Sequence, residues 1–162
     1  MNNLKIKKAL EYSYLLLRNK DRTEKEIASF LDNKNYDSDT IKEVIKKLKE
    51  KNLINDEKFV RNFVSRELEK GKGLSLIIFE LTEKGIERSK VEKILKELNI
   101  TEETEYSFAE KLFKKKIIKY NNKSFDERMY RRLADFFSRR GFSSDTIEKL
   151  FRNFRKDIDT DE

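Results

Sequence analysis

The sequence predicts an all-α protein, a tandem array of three three-helix repeat units, elongated and curved, and three observations carry that expectation. Proline is absent and only 4 of 162 residues are glycine, so the residues that most often interrupt helices are nearly missing. Apolar residues recur at the three, four and seven spacing of one helical stripe. Three segments also align without gaps at a period of about fifty residues: 34–48, KNYDSDTIKEVIKKL; 84–98, KGIERSKVEKILKEL; and 140–154, RGFSSDTIEKLFRNF.

Each aligned segment opens on a cation, then Asn35, Gly85 or Gly141, then Tyr36, Ile86 or Phe142. Gly, or Asn in its place, takes the left-handed conformation that ends a helix, and Asp37, Ser38, Ser143 or Ser144 can cap the next one. The helix that follows carries Ile41, Val44, Ile45 and Leu48 in the first segment. Val91, Ile94, Leu95 and Leu98 match them in the second, and Ile147, Leu150, Phe151 and Phe154 in the third. Upstream of each turn a short amphipathic helix is marked by Ile27 and Leu31, Ile77 and Leu81, or Leu133 and Phe137. Thr23 with Glu26, and Ser124 with Glu127, have the spacing of a capping box. Longer striped stretches come first in each unit, through Leu10, Tyr14 and Leu17; Phe59, Phe63 and Val64; and Phe108, Leu112 and Phe113, with Asp56 expected to cap the second.

The units expected are 1–54, 55–100 and 101–158, the last strongly basic, followed by an acidic tail at 159–162. Hydrophobic residues make up 36% of the chain and charged residues 43%, too lean a mixture for one large core but adequate for small cores in a row. The same balance would suit disorder, yet 12 Phe and 6 Tyr at regular spacing argue for folding. A fifty-residue triplet buries little by itself, so neighbouring units should share apolar surface. Gly71 to Gly73 is expected to form a bend or a mobile loop.

The composition narrows the chemistry. With no His and no Cys, the chain lacks an imidazole base, a thiolate nucleophile and the usual transition-metal ligands. Lys70-Gly71-Lys72-Gly73 lacks the spacing of a phosphate loop. Glu102, Glu103 and Glu105 read as helix-start acids, and no paired carboxylates suggest a hydrolase. The expectation is a non-enzymatic protein without cofactor or metal. No apolar run approaches the length of a membrane span, so no membrane partner is expected, and the absence of Cys suits a cytoplasmic protein.

Formal charge is +7 overall, but residues 111–156 hold 15 Lys and Arg against 5 Asp and Glu, a net of +10 that leaves −3 for the remainder. Such concentration is an electrostatic footprint for a polyanion or an acidic protein surface. Lys114, Lys115, Lys116 and Lys119 form one cluster; Arg128, Arg131, Arg132, Arg139 and Arg140 form another, with Tyr106, Tyr120 and Tyr130 nearby. A solvated helix surface is the plainer account of any one of these cations. The interleaved Phe residues read as core.

Several ordered fragments then resemble one family. Ala9-Leu10-Glu11-Tyr12-Ser13 followed by Arg22-Thr23-Glu24-Lys25-Glu26-Ile27 is similar to the opening of the RecX family, regulators of the bacterial RecA recombinase. Leu53-Ile54-Asn55-Asp56-Glu57-Lys58-Phe59-Val60, then Arg66, Gly71-Lys72-Gly73, Ile77, Glu80-Leu81 and Lys84-Gly85-Ile86 follow the order of its central motif, and Arg140-Gly141-Phe142-Ser143 resembles its ending. Leu74 stands where the family often has Pro, which could loosen the start of the fifth helix, and Asn35 replaces the usual Gly. The resemblance implies a protein that lodges in the groove of a RecA filament on single-stranded DNA and restrains, mainly inhibits, its recombinase and coprotease activities.

On that reading the partner contacts are Arg22, Lys34, Arg66, Lys72, Lys84, Lys114, Lys115, Lys116, Lys119, Arg128, Arg131, Arg132, Arg139 and Arg140. The partner is the RecA filament, DNA through the third unit stays open as a second, and the protein is expected to act as a monomer. The alternative is a DNA-binding protein of helix-turn-helix type, since a three-helix unit with a turn can read a groove. Asp39, Lys42, Lys90 and Lys93 occupy the would-be recognition positions; there is no Gln and Asn153 comes late, so direct base readout is poorly served.

Overall fold

A computed structural model describes residues 2–118 and 126–160 of the chain, in which the backbone forms nine helices and no strand. They are α1 (Asn2–Asn19), α2 (Glu24–Asp32), α3 (Ser38–Glu50), α4 (Asp56–Glu69), α5 (Leu74–Glu83), α6 (Arg88–Glu97), α7 (Glu102–Ile118), α8 (Glu127–Arg139) and α9 (Ser144–Thr160). The all-α repeat predicted from periodicity is thus present.

Three turns do what the aligned segments require. Asn35, Gly85 and Gly141 have φ of 62°, 86° and 82°, the left-handed region that a side chain with a Cβ rarely adopts. The next apolar residue then donates its backbone N–H back to the carbonyl of a buried residue near the end of the preceding helix: Tyr36 to Leu31, Ile86 to Leu81 and Phe142 to Phe137. Each turn satisfies a carbonyl the helix would otherwise leave bare and points an apolar side chain inward. Asn52, Asn99 and Gly71, also at positive φ, close three further helices with the same backbone bond, from Leu53 to Leu48, Ile100 to Leu95 and Lys72 to Glu67.

Two compact units divide the chain. One comprises Met1–Asn62 with Leu81–Val91, the other Phe63–Glu80 with Glu92–Glu162. In the first, Ala9, Ile27, Leu31, Val44, Leu48 and Ile54 form a buried cluster flanked by Leu10, Tyr14, Leu17, Phe30, Tyr36 and Ile41. The stripe foreseen on α1 is displaced: its innermost line runs through Ala9 and Ser13, whose hydroxyl donates to the Ala9 carbonyl at 2.9 Å. Small residues let the helix approach closely, and the larger Leu10, Tyr14 and Leu17 pack at the sides. In the second unit the core is aromatic. Tyr106, Phe113, Phe137, Phe142 and Phe151 are buried around Leu133 and Leu150, and Phe113 meets Phe151 edge-on at 5.3 Å between centroids, a geometry that aligns ring quadrupoles favourably.

The capping box at Thr23 is complete, its hydroxyl accepting from the Glu26 N–H and the Glu26 carboxylate accepting from the Thr23 N–H. Asp37 and Ser143 cap α3 and α9. Two expected caps move. Asn55, not Asp56, caps α4 by accepting from the Lys58 N–H at 3.0 Å; Asp56 is the first helical residue and accepts instead from the Glu24 N–H at 3.1 Å. Asp126 caps α8 through the Met129 N–H at 2.7 Å, while Ser124 lies outside the described residues.

Gly71 to Gly73 makes the expected bend, but one held firmly in place. The Arg140 guanidinium donates to the carbonyls of Lys70 and Gly71 at 2.9 and 3.0 Å, and the Gly73 N–H donates to the Arg140 carbonyl at 2.8 Å. A Cβ on Gly73 would fall 2.2 Å from the Gly141 carbonyl oxygen, so no other residue fits there without displacing backbone.

Candidate interaction surface

The cations expected to meet a partner differ in what else they do. Some are committed within their own unit. In the first, the Lys84 ammonium pairs with Glu26 at 2.8 Å, and the Lys84 carbonyl accepts the Thr23 hydroxyl at 2.8 Å. Burial would raise the Glu26 carboxyl, but the hydrogen bond from Lys84, that from the Thr23 backbone and the nearby charges of Lys84 and Arg22 bring it below its ordinary value. Arg22 lies half-buried with Nη1 3.9 Å from Glu26. Lys34 is exposed and sits 4.4 Å above the Tyr12 ring, a cation–π arrangement.

In the second unit Lys72 is tied down hardest. Its ammonium lies 2.8 Å from Glu67 and 2.6 Å from Glu80. Glu67 is buried near the end of α4 and also receives Lys70 at 2.9 Å and the Nε–H of Arg66 at 3.0 Å. Burial alone would push the Glu67 carboxyl up, yet hydrogen bonds from Lys70, Lys72 and Arg66 outweigh it and hold the group down at about 2. Burial would likewise lower Lys72, but its bonds to Glu67 and Glu80 raise it instead. Arg140 holds the glycine bend, as described above, and its guanidinium lies 4.9 Å from the centroid of Phe136, which Lys116 approaches to 4.1 Å.

Other cations point to solvent. On α8, Arg128, Arg132 and Arg139 are exposed at spacings of four and seven, one stripe of the helix apart from the face that buries Met129, Leu133 and Phe137. Arg131 beside them is 75% exposed and pairs with Glu127, one turn earlier, at 3.1 Å. On α7, Lys115 is exposed, and Lys114 is exposed with Glu110 3.5 Å away. Arg66 is exposed, with its Nε–H bonded to Glu67 and its guanidinium 5.2 Å from the Phe63 ring centroid. Lys119 and Tyr120 lie outside the described residues. Thus α7 and α8 supply a set of outward cations whose exposed local partners offset little of their charge.

Two tyrosines belong elsewhere than their sequence context suggested, and one acid in the first turn of α7 has a further role. Tyr106 is a core residue whose hydroxyl accepts from Asn153 at 2.8 Å. Tyr130 packs on Phe151. Glu105, which resembled a helix-start acid, is buried, accepting the Leu74 N–H at 2.7 Å and the Thr146 hydroxyl at 2.9 Å. Nothing local to Glu105 signals this, because both partners are distant in sequence. Among the described residues no three acidic side chains converge as metal ligands, and no helix is long and apolar enough to cross a membrane.

Comparison with known proteins agrees with this architecture. The family model described as "RecX, first three-helix domain" matches residues 9–48. A "Regulatory protein RecX" of Oceanobacillus iheyensis is 32% identical over 141 residues, covering 86% of this chain and 51% of that protein. One of Caldanaerobacter subterraneus is 28% identical over 92% of this chain and 72% of its own length. The crystal structure of RecX from Lactobacillus salivarius superposes with a TM-score of 0.77 at 25% identity, covering 92% of this chain and 96% of that one. The chain spans about half the length of several curated relatives it matches. Helix order and similarity along most of the sequence agree: the chain is similar over nearly all its length to regulatory proteins of the RecX family.

Proposed function

We propose that this chain binds in the groove of the RecA filament on single-stranded DNA and restrains its recombinase and coprotease activities, acting in the cytoplasm as a monomer without enzymatic chemistry of its own. The observation that supports this reading most is the stripe of exposed cations on α8, with Lys114 and Lys115 on α7, in a chain similar to RecX regulatory proteins. Cations not neutralised by their own fold attract an acidic protein surface or phosphates, and that attraction weakens with salt. We read the chain as three triplets, 1–54, 55–100 and 101–158, each contributing contacts. Arg66 would contact the partner directly, whereas Lys72 and Lys84 would act mainly by holding their helices.

Co-sedimentation with RecA filaments, with and without single-stranded DNA and across a salt series, tests the proposal. Binding should require the assembled filament and weaken as salt rises. If the double substitution Arg131→Glu and Arg132→Glu left inhibition of RecA-driven strand exchange unchanged, the role given to α8 would be wrong.

A further inference from the structure

In the first compact unit, a recess of about 240 Å³ lies where the segment after α1 meets the start of α4. Asp21, Arg22, Asn55 and Lys58 contribute to its polar lining, and Leu17 and Leu53 to its apolar lining. The Arg22 Nε is buried and has no hydrogen-bond acceptor among the described residues. Its Nη1 lies 3.9 Å from Glu26, beyond hydrogen-bond length, and that carboxylate is already engaged by Lys84 at 2.8 Å and by the Thr23 N–H at 3.0 Å. A buried donor left unmet is costly, and a guanidinium is a planar fork shaped for two parallel bonds to one carboxylate.

We infer that this recess receives one carboxylate of an acidic peptide segment on a protein partner, with Arg22 as its fork and Lys58 as a second cation. The choice of carboxylate over phosphodiester rests on the lining. Asp21 offsets one of the two cations, which leaves a net charge suited to a single negative group instead of a polyanion. Leu17 and Leu53 offer apolar wall to the carbon stem of a Glu or to the side chain beside it. The Asn55 carbonyl oxygen is occupied as the α4 cap, so its amide N–H groups remain to donate. The inference deepens the partner-binding reading and rests on it only in assigning the carboxylate to a protein.

The test is an NMR titration of the whole ¹⁵N-labelled chain, following the Arg22 Nε–H signal and the backbone amides of Asn55 and Lys58. The probes are acetyl-Leu-Glu-Leu-amide, its Gln counterpart, inorganic phosphate and a short DNA duplex. Saturable shifts with the Glu peptide alone are expected. Arg22→Lys, which keeps the charge but removes the fork, should weaken that binding about tenfold, and the exposed Lys58→Gln should weaken it less while the fold is unchanged. Equal response to the Gln peptide, a stronger response to phosphate or duplex, no response, or undiminished binding by both variants would each overturn the inference. RecA-filament sedimentation of the same protein separates the two claims. Filament binding with a silent titration removes the recess and keeps the regulator, and the converse does the reverse.

Discussion

The Glu105 carboxylate accepts the backbone N–H of Leu74 at 2.7 Å, so an acid on α7 caps the first residue of α5. Its other oxygen takes the Thr146 hydroxyl, which in turn accepts from Ser143, the cap of α9. One buried carboxylate thereby joins the starts of two helices to a third. Leu74 occupies the position where the family resemblance anticipates Pro, and here its N–H has a specific acceptor. Glu105→Ala should destabilise the protein by about 2 kcal/mol, because the buried Thr146 hydroxyl and the part-buried Leu74 N–H lose their acceptor. Leu74→Pro should be destabilising in the parent, yet cost less in the Glu105→Ala background. Denaturant unfolding of the four proteins in a double-mutant cycle measures that coupling, and strict additivity would refute it.

Glu67 sets an acid limit on stability. Its folded carboxyl titrates at about 2 against an ordinary value of 4.5. A group depressed on folding stabilises fully above its unfolded value and loses that contribution as pH falls through the folded one. The window is therefore pH 4.5 down to about 2, and the contribution at neutral pH is at most about 3 kcal/mol. Glu67→Gln should lower the unfolding midpoint at pH 7 and flatten the loss across that window, as measured by thermal melts at graded pH.

Arg140 should prove a structural residue as much as a contact residue. Arg140→Ala removes both donors to the Lys70 and Gly71 carbonyls and should cost about 1–3 kcal/mol. Arg140→Lys should recover part of the loss, since an ammonium can also donate to two carbonyls but lacks the planar head that lies 4.9 Å from the Phe136 centroid. Amide exchange of residues 70–74 should accelerate in step with the loss. Gly73→Ala should be more damaging still, since its Cβ meets backbone.

Arg132→Glu with Arg139→Glu should leave the melting temperature nearly unchanged, because both side chains are exposed on α8. The same variant should reduce sedimentation with RecA filaments and flatten its salt dependence. Lys72→Met should behave oppositely, lowering stability first by leaving Glu67 and Glu80 short of a cation. Melting curves paired with sedimentation distinguish the two classes.

Periodicity sufficed for the nine helices and the three left-handed turns, because spacing in a helix and the need for Gly or Asn at positive φ are local matters. Asn35, Gly85 and Gly141 were legible for that reason, as was the Thr23 box with Glu26. Asn52 and Asn99 play the same part at other helix ends, and their Asn identity was the available signal. The basic character of the region from 111 to 156 was likewise plain from composition.

Chain sequence by itself therefore determined the helical repeat, its punctuation and its charge. The tertiary structure alone decided which charges are spent internally. Lys72 and Arg132 look alike as cations on a charged chain; one meets Glu67 and Glu80, the other meets water. Likewise Glu105 became a buried cap through residues far off in sequence, and Arg22 kept a donor unmet among the described residues. Helix propensity and turn chemistry act over a few neighbouring residues, whereas burial and ion pairing depend on what folding brings within a few ångströms, which no local pattern records.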